Sequence, residues 1–332
     1  MASPPPSEPL FFRRILKETV WGGRNLATWL GESPDFSGPL GESWELSDVA
    51  GQETLVAEGS FEGKTLCQIL EEHADAILGS ARPHPGGKRF PLLVKFLEAE
   101  QDLSVQVHPA SDSSAYPGQG KSECWYFLEA RPGANLICGL KPGTDKETFA
   151  ADASTSAVES HLQNHAVNAG SFLMVEAGQV HAIRPGVVLC EIQQTSDTTF
   201  RLYDWNRLGL DGKVRETHPE KALEVVDFES PAPSLVQPEF QTLAEGPGWE
   251  TAPLTQHDAF HVRILKGYGA AGFGPFEKPR VLTVVNGAGK ILFGKDEIRE
   301  MKHGDTTLVP ACCSGYVLDS AQSFTLLESI PQ

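Results

Sequence analysis

The sequence predicts a mainly β protein with a helical insertion and a second, smaller β-barrel at the C-terminal end. Three observations carry this. Among 332 residues there are 32 glycines and 24 prolines, a density that favours many turns. Long helical heptads are absent from the sequence. Short segments that alternate apolar and polar residues recur along the chain, and this period of two is what a half-buried strand imposes.

In chain order, a strand-like piece over 10–16 leads through Trp21-Gly22-Gly23 into a short helix, and "GESWELSDV" (41–49) alternates as a strand. Over 63–78, Leu66, Ile69, Leu70, His73 and Ile77 fall on one helical face. "PLLVKFLEAEQDLSVQVHP" reads as two strands joined by an acidic turn. "GKSECWYFLEARPGANLICGLKPG" reads as a hairpin turning at Arg131–Ala134. Residues 144–165 carry Phe149, Val158 and Leu162 at helical spacing and are expected to be helical. Strands return in "SFLMVEAGQVHAI", "GVVLCEIQQTS" and "TTFRLYDW", followed by a short helix from Pro219 to Val226. Pro, Ser and Gly interrupt every period over 229–248, the best linker candidate. The expected division is a first domain over 1–235 and a C-terminal β domain over 240–332.

The formal net charge is −17, which argues against nucleic acid or an anionic membrane as partner. An anionic small molecule would need a local cluster of Lys and Arg. The six cysteines form no CxxC pair and read as reduced thiols of a cytoplasmic protein. The start, MASPPPSEPL, lacks the basic and apolar segments of a signal peptide, and no stretch reaches 18 apolar residues.

The polar face of "DLSVQVHPASD" (102–112) is the most informative feature. Gln106 and His108 share one strand face, and Val105 and Val107 share the other. Lys121 and Glu123 share a face for the same reason, and His181 follows a tight turn in "EAGQVHAI". Singly, each of these is commonly a surface or structural residue. In combination, nitrogen and oxygen donors from separate strands form a set suited to a divalent transition ion.

The segments "DLSVQVHP", "GKSECWYFLEARPGANLICGL", "AGQVHAI" and "LCEIQQTSDTTFRLYDWNR" resemble the signature segments of type I mannose-6-phosphate isomerases, more specifically the short bacterial form. The resemblance runs from about Trp21 to Asp227 and is weaker through "GAGKILF" and "KHGDTTLVPA". It implies a cupin-type jelly-roll barrel and an aldose–ketose isomerase of mannose 6-phosphate and fructose 6-phosphate. It also implies one Zn2+ per chain, bound by Gln106, His108, Glu123 and His181, and active-site roles for Lys121, Glu191 and Arg201. In one departure, Glu176 stands where the cupin turn usually has Pro, before Gly178 and His181.

Under that resemblance, Arg201 offers a planar fork to an oxyanion or phosphate. Glu191 is a candidate acid or base if burial raises its pKa, or else a partner of Arg201 or Lys121. Trp21 is a candidate for the pocket rim or for the core, and Asp197, Asp204 and Arg207 are expected to brace the site. Lys17, Arg24 and Lys95 are available for the phosphate. A sugar phosphate is the expected partner, and the chain is expected to be a monomer. Two alternatives stand beside this reading: an iron-dependent cupin oxygenase, and a cupin that binds a sugar phosphate without turnover.

Overall fold

The computed structural model describes residues 4–32, 38–244 and 246–332. The first three residues of the Pro-rich start, and Glu245 in the expected linker, lie outside the described residues. Two compact units divide the chain. One comprises Leu16–Ser43 and Lys95–Gln237, the other Met1–Ile15, Trp44–Val94 and Pro238–Gln332.

The first unit is built on two sheets. One orders Phe172–Val175, Glu123–Ala130, Val187–Gln194, Leu92–Ala99, Leu40–Leu46 and Ile15–Gly23; the other orders Leu162–Ala166, Asn135–Leu140, His181–Ile183, Val105–Val107 and Phe200–Tyr203. From residue 92 onward the chain changes sheet at almost every strand, the alternation by which a jelly roll is wound.

That winding overturns the expected hairpin. Glu123–Ala130 pairs with Phe172–Val175 and Val187–Gln194, whereas Asn135–Leu140 pairs with Leu162–Ala166 and His181–Ile183. The turn at Arg131–Ala134 is present, with Ala134 N–H donating to the Arg131 carbonyl at 2.9 Å, but it carries the chain from one sheet to the other. Trp125 and Phe127 share a core cluster with Leu136 and Cys138. The two strands therefore bury their apolar faces against a common core instead of pairing edge to edge.

The stretch 144–165 also departs from a continuous helix. It splits into the helix Lys146–Asp152, a 3-10 turn Ser156–His161 and the strand Leu162–Ala166. Asp145 and Thr155 each cap a new start by accepting a backbone N–H, from Thr148 and Ala157. Side chains of this kind end one helical run and open another. Phe149, Val158, Leu162 and Ala222 then join Val105 and Val107 in one buried cluster. Full burial of a side chain such as Phe149 contributes about 1.5–3 kcal/mol. The helical segments thereby cover the apolar face of Val105–Val107, and Gln106 points to the opposite face.

In the second unit, Phe260–Phe273 and Tyr316–Pro331 pair antiparallel along most of their length. The N-terminal strand Leu10–Arg13 joins the same sheet, Leu10 opposite Leu308. The helix Leu66–Leu78 opens on a capping box between Thr65 and Gln68 and buries Leu66, Ile69, Leu70 and Ile77. The contiguous division at 235–240 is therefore replaced by a discontinuous one. A strand near residue 10 finds its backbone partners near residue 308, and the linker supplies only the last crossing, at Gln237. All six cysteines are free. Among the described residues, no helix is long and apolar enough to cross a membrane.

Candidate active site

Register brings the five-stranded sheet's polar residues into line. His181 lies opposite Gln106 on one side, and Arg201 lies opposite Gln106 on the other. Residues directly opposite in an antiparallel ladder point to the same face. In the six-stranded sheet, Trp125 lies opposite Glu191 and Glu123 opposite Gln193, so Glu123 and Glu191 share a face by the same rule.

His108, Glu123 and His181 converge, with their ligand-type atoms all within 4.8 Å of one another. Each imidazole presents Nε2 to Glu123, at 3.5 Å from Oε2 for His108 and 3.5 Å from Oε1 for His181. Their other ring nitrogens are tied back: Nδ1 lies 2.8 Å from the Thr198 carbonyl in His108 and 2.9 Å from the Gln179 carbonyl in His181. A carbonyl only accepts, so Nδ1 carries the proton and Nε2 keeps its lone pair, the tautomer of a metal-ligating histidine. Burial, above all, lowers both imidazoles, His108 well below its ordinary value and His181 to about 4, so both stay neutral near pH 7. The Gln106 carboxamide adjoins them, with Nε2 3.2 Å from His181 Nε2 and Oε1 accepting from Ser104. A half-turn of the amide presents its oxygen there instead.

Lys121 occupies the middle of this group. Its Nζ lies 2.6 Å from Glu123 Oε2 and 3.0 Å from His108 Nε2. Burial and the neighbouring Glu191 push the Glu123 carboxyl up to about 7, against the opposing pull of Lys121. Two neutral imidazoles, a buried carboxylate and an amide are a donor set that fits a divalent cation.

Glu191 differs from its expectation in both partner and pKa. Its Oε1 pairs with Lys95 Nζ at 3.2 Å, and its Oε2 accepts from Trp125 Nε1 at 3.2 Å. Burial alone would raise this carboxyl. Lys95 and Lys121 outweigh burial and hold it below its ordinary value. Arg201 donates from Nε to Ser104 Oγ at 3.2 Å and from Nη1 to the Glu216 carbonyl at 2.9 Å.

One cleft is lined by Gln106, Lys121, Glu123, Glu191 and Arg201, and also by Trp21, Glu42, Lys95 and Arg215. Three carboxylates there face four cations, a local reversal of the chain's overall sign. Trp21 both lines the cleft and belongs to the core beneath it. Arg24 lines a different cavity, with Glu98 and Glu100. Asp204 and Arg207 brace one another at 2.8 Å. Glu42 and Arg215 were missed by sequence reasoning, since neither shares a strand face or short spacing with the other site residues. At the turn before His181, Gly178 has φ +88° and donates its N–H to the His108 carbonyl at 2.9 Å. Gln179 Oε1 accepts from the Glu176 N–H at 3.2 Å, which steadies the turn without the usual proline.

Residues 10–129 match the family model described as "Phosphomannose isomerase type I, catalytic domain". The chain is 34% identical over 309 residues to mannose-6-phosphate isomerase ManA of Bacillus subtilis, covering 92% of this chain and 93% of that protein. The chain belongs to the type I phosphomannose isomerases. A mannose-6-phosphate isomerase of Streptococcus mutans is 30% identical over 315 residues, covering 94% of this chain and 96% of that protein. The crystal structure of a mannose 6-phosphate isomerase from Bacillus subtilis superposes with a TM-score of 0.85 at 29% identity, over 97% of this chain and 99% of that one. A type I phosphomannose isomerase is a cupin, so the jelly-roll expectation holds.

Proposed function

We propose that this protein interconverts mannose 6-phosphate and fructose 6-phosphate, with one zinc ion held by Gln106, His108, Glu123 and His181. The observation that carries this reading is the convergence of both imidazole Nε2 atoms on Glu123, which lines one cleft together with Gln106, Lys121, Glu191 and Arg201. A divalent cation bound there supplies Lewis-acid polarisation of the sugar's carbonyl and hydroxyl oxygens.

The remaining work falls to side chains. Isomerisation moves a proton from C2 to C1 and shifts the carbonyl from C1 to C2, through an enediolate. Glu191, kept ionised by Lys95 and Lys121, takes the C2 proton and returns it to C1. The Lys121 ammonium lies between Glu123 and His108, where it passes the hydroxyl proton from O2 to O1. Arg201 stabilises the negative oxygens with a fixed guanidinium. Buried aromatic walls at Trp21 and Trp125 keep bulk water from the reacting carbons.

The test is an anaerobic assay without redox cofactor, following ketose formation by NMR. Turnover of mannose 6-phosphate is expected, abolished by chelation and restored by zinc. Unphosphorylated mannose should react poorly, because the remote phosphate no longer helps to position the reacting carbons. Folded, metal-loaded protein that binds the sugar phosphate yet yields no ketose would sink the proposal.

A further inference from the structure

We propose that Arg215 is a substrate-binding residue that holds the phosphate group of the sugar phosphate, at the end of the cleft beyond Arg201. The inference rests on the isomerase reading above and assigns a position that reading leaves open.

Arg201, Arg207 and Arg215 gather around one buried carboxylate, Asp204. Arg207 Nη2 lies 2.8 Å from its Oδ1, Arg215 Nε lies 3.4 Å from its Oδ2, and Arg201 feels its field. Other acids act on the same arginines: Glu42 on Arg215, Asp102 on Arg207, and Glu216 on Arg201, the Glu216 side chain being 85% exposed. The cleft as a whole is lined by four cations, Lys95, Lys121, Arg201 and Arg215, against the carboxylates of Glu42, Glu123 and Glu191, in a chain of net charge −17. Burial first, and then the neighbouring arginines, lower Arg215 from its ordinary value. A dianion seated between the guanidinium groups relieves that repulsion, and a guanidinium fork suits phosphate oxygens in two-point contact.

Arg215 reaches the cleft on a loop outside the strands, yet the loop is pinned. Trp205 and Asn206 adopt left-handed φ of 58° and 53°; asparagine tolerates this conformation, but a bulky residue such as Trp205 holds it only where the surroundings impose it. Trp205 Nε1 donates to the Leu103 carbonyl at 2.8 Å, and Arg207 Nη1 donates to the Asp102 carbonyl. Leu208 and Val214 bridge the loop's two arms, so the chain returns to the cleft at Arg215. Arg201, by contrast, stands on a strand directly opposite Gln106, beside the proposed metal ligands. The two arginines thus divide the substrate, Arg201 at the reacting carbons and Arg215 at the phosphate.

The test is Arg215→Met. Its KM for mannose 6-phosphate should rise about 10- to 100-fold, as expected for losing a charge-assisted contact. Competitive inhibition by inorganic phosphate should weaken by a similar factor, with kcat and bound metal near the parent values. Arg215→Lys, which keeps the charge and loses the fork, should recover part of the loss. Unchanged KM and phosphate inhibition would overturn the assignment. So would a loss confined to kcat, which would put Arg215 at the reacting carbons. If Arg215→Met does not fold, Arg215→Lys decides: a KM rise of about threefold or more supports the seat, and a smaller one rejects it. Calorimetric titration of inorganic phosphate into parent and variant separates the two readings. A parent that binds phosphate but forms no ketose refutes the isomerase reading, and the variant's affinity still decides Arg215.

Discussion

The two units put β-strands to opposite uses. In the unit containing Lys95–Gln237, the interior admits Lys95, His108, Lys121, Glu123, His181 and Glu191, all buried. In the unit containing Pro238–Gln332, the corresponding mass is apolar: Trp249, Leu282, Val284, Ile291, Leu318, Phe324 and Leu326 share one cluster. One of its buried acids, Glu328, is met by Arg263 at 2.5 Å, by the Tyr316 hydroxyl at 3.2 Å and by Arg280 at 3.7 Å. A buried charge acquires chemistry only where its partners leave room for a ligand. Glu328 is enclosed by its partners, whereas Glu123 and Glu191 line a cleft.

The largest expected effect comes from emptying the first interior. His108→Ala with His181→Ala should reduce bound divalent metal from about one ion per chain to near zero and abolish measurable turnover, as checked by elemental analysis and the NMR assay. Retained metal would remove both residues from the ligand set.

Arg201→Lys probes the same interior more gently. It keeps a cation and loses the planar fork, and kcat should fall by about 10- to 100-fold with little change in KM. A rise in KM alone would move Arg201 to the phosphate.

Glu328→Gln sharpens the contrast from the other side. Removing one partner of a buried ion pair leaves charge uncompensated. Because Arg263 is one-third exposed, the cost in urea unfolding should be about 2–3 kcal/mol. Turnover per folded molecule should stay at the parent level. A catalytic defect with stability intact would mean that this unit contributes chemistry. The smallest effect should be that of His303→Ala, in the same unit, with turnover unchanged.

Much of the site was legible because a strand's side-chain period is local. Gln106 with His108, and Lys121 with Glu123, are each two residues apart, so their shared faces follow from backbone geometry alone. The signature segments identified the family for a related reason, since they gather these pairs in one order. Glu42, Lys95 and Arg215 have no such local relation to the rest. The environment of Glu191 was equally hidden: burial was foreseeable, but Lys95 as its partner, and with it the sign of its pKa shift, depends on which strands face each other.

By itself, then, the sequence determined the mainly β character, the covering helical segments and the alternation that sends Gln106 one way and Val105 and Val107 the other. Only the tertiary structure decided that Glu123–Ala130 and Asn135–Leu140 would lie in different sheets, that Leu162–Ala166 would leave the helical region to become a strand, and that Leu10 would pair with Leu308. The physical reason is range. Periodicity and capping act over a few residues, whereas the choice of strand partner depends on how apolar faces distant in sequence share a core, and loop closure penalises that distance only slowly as it grows.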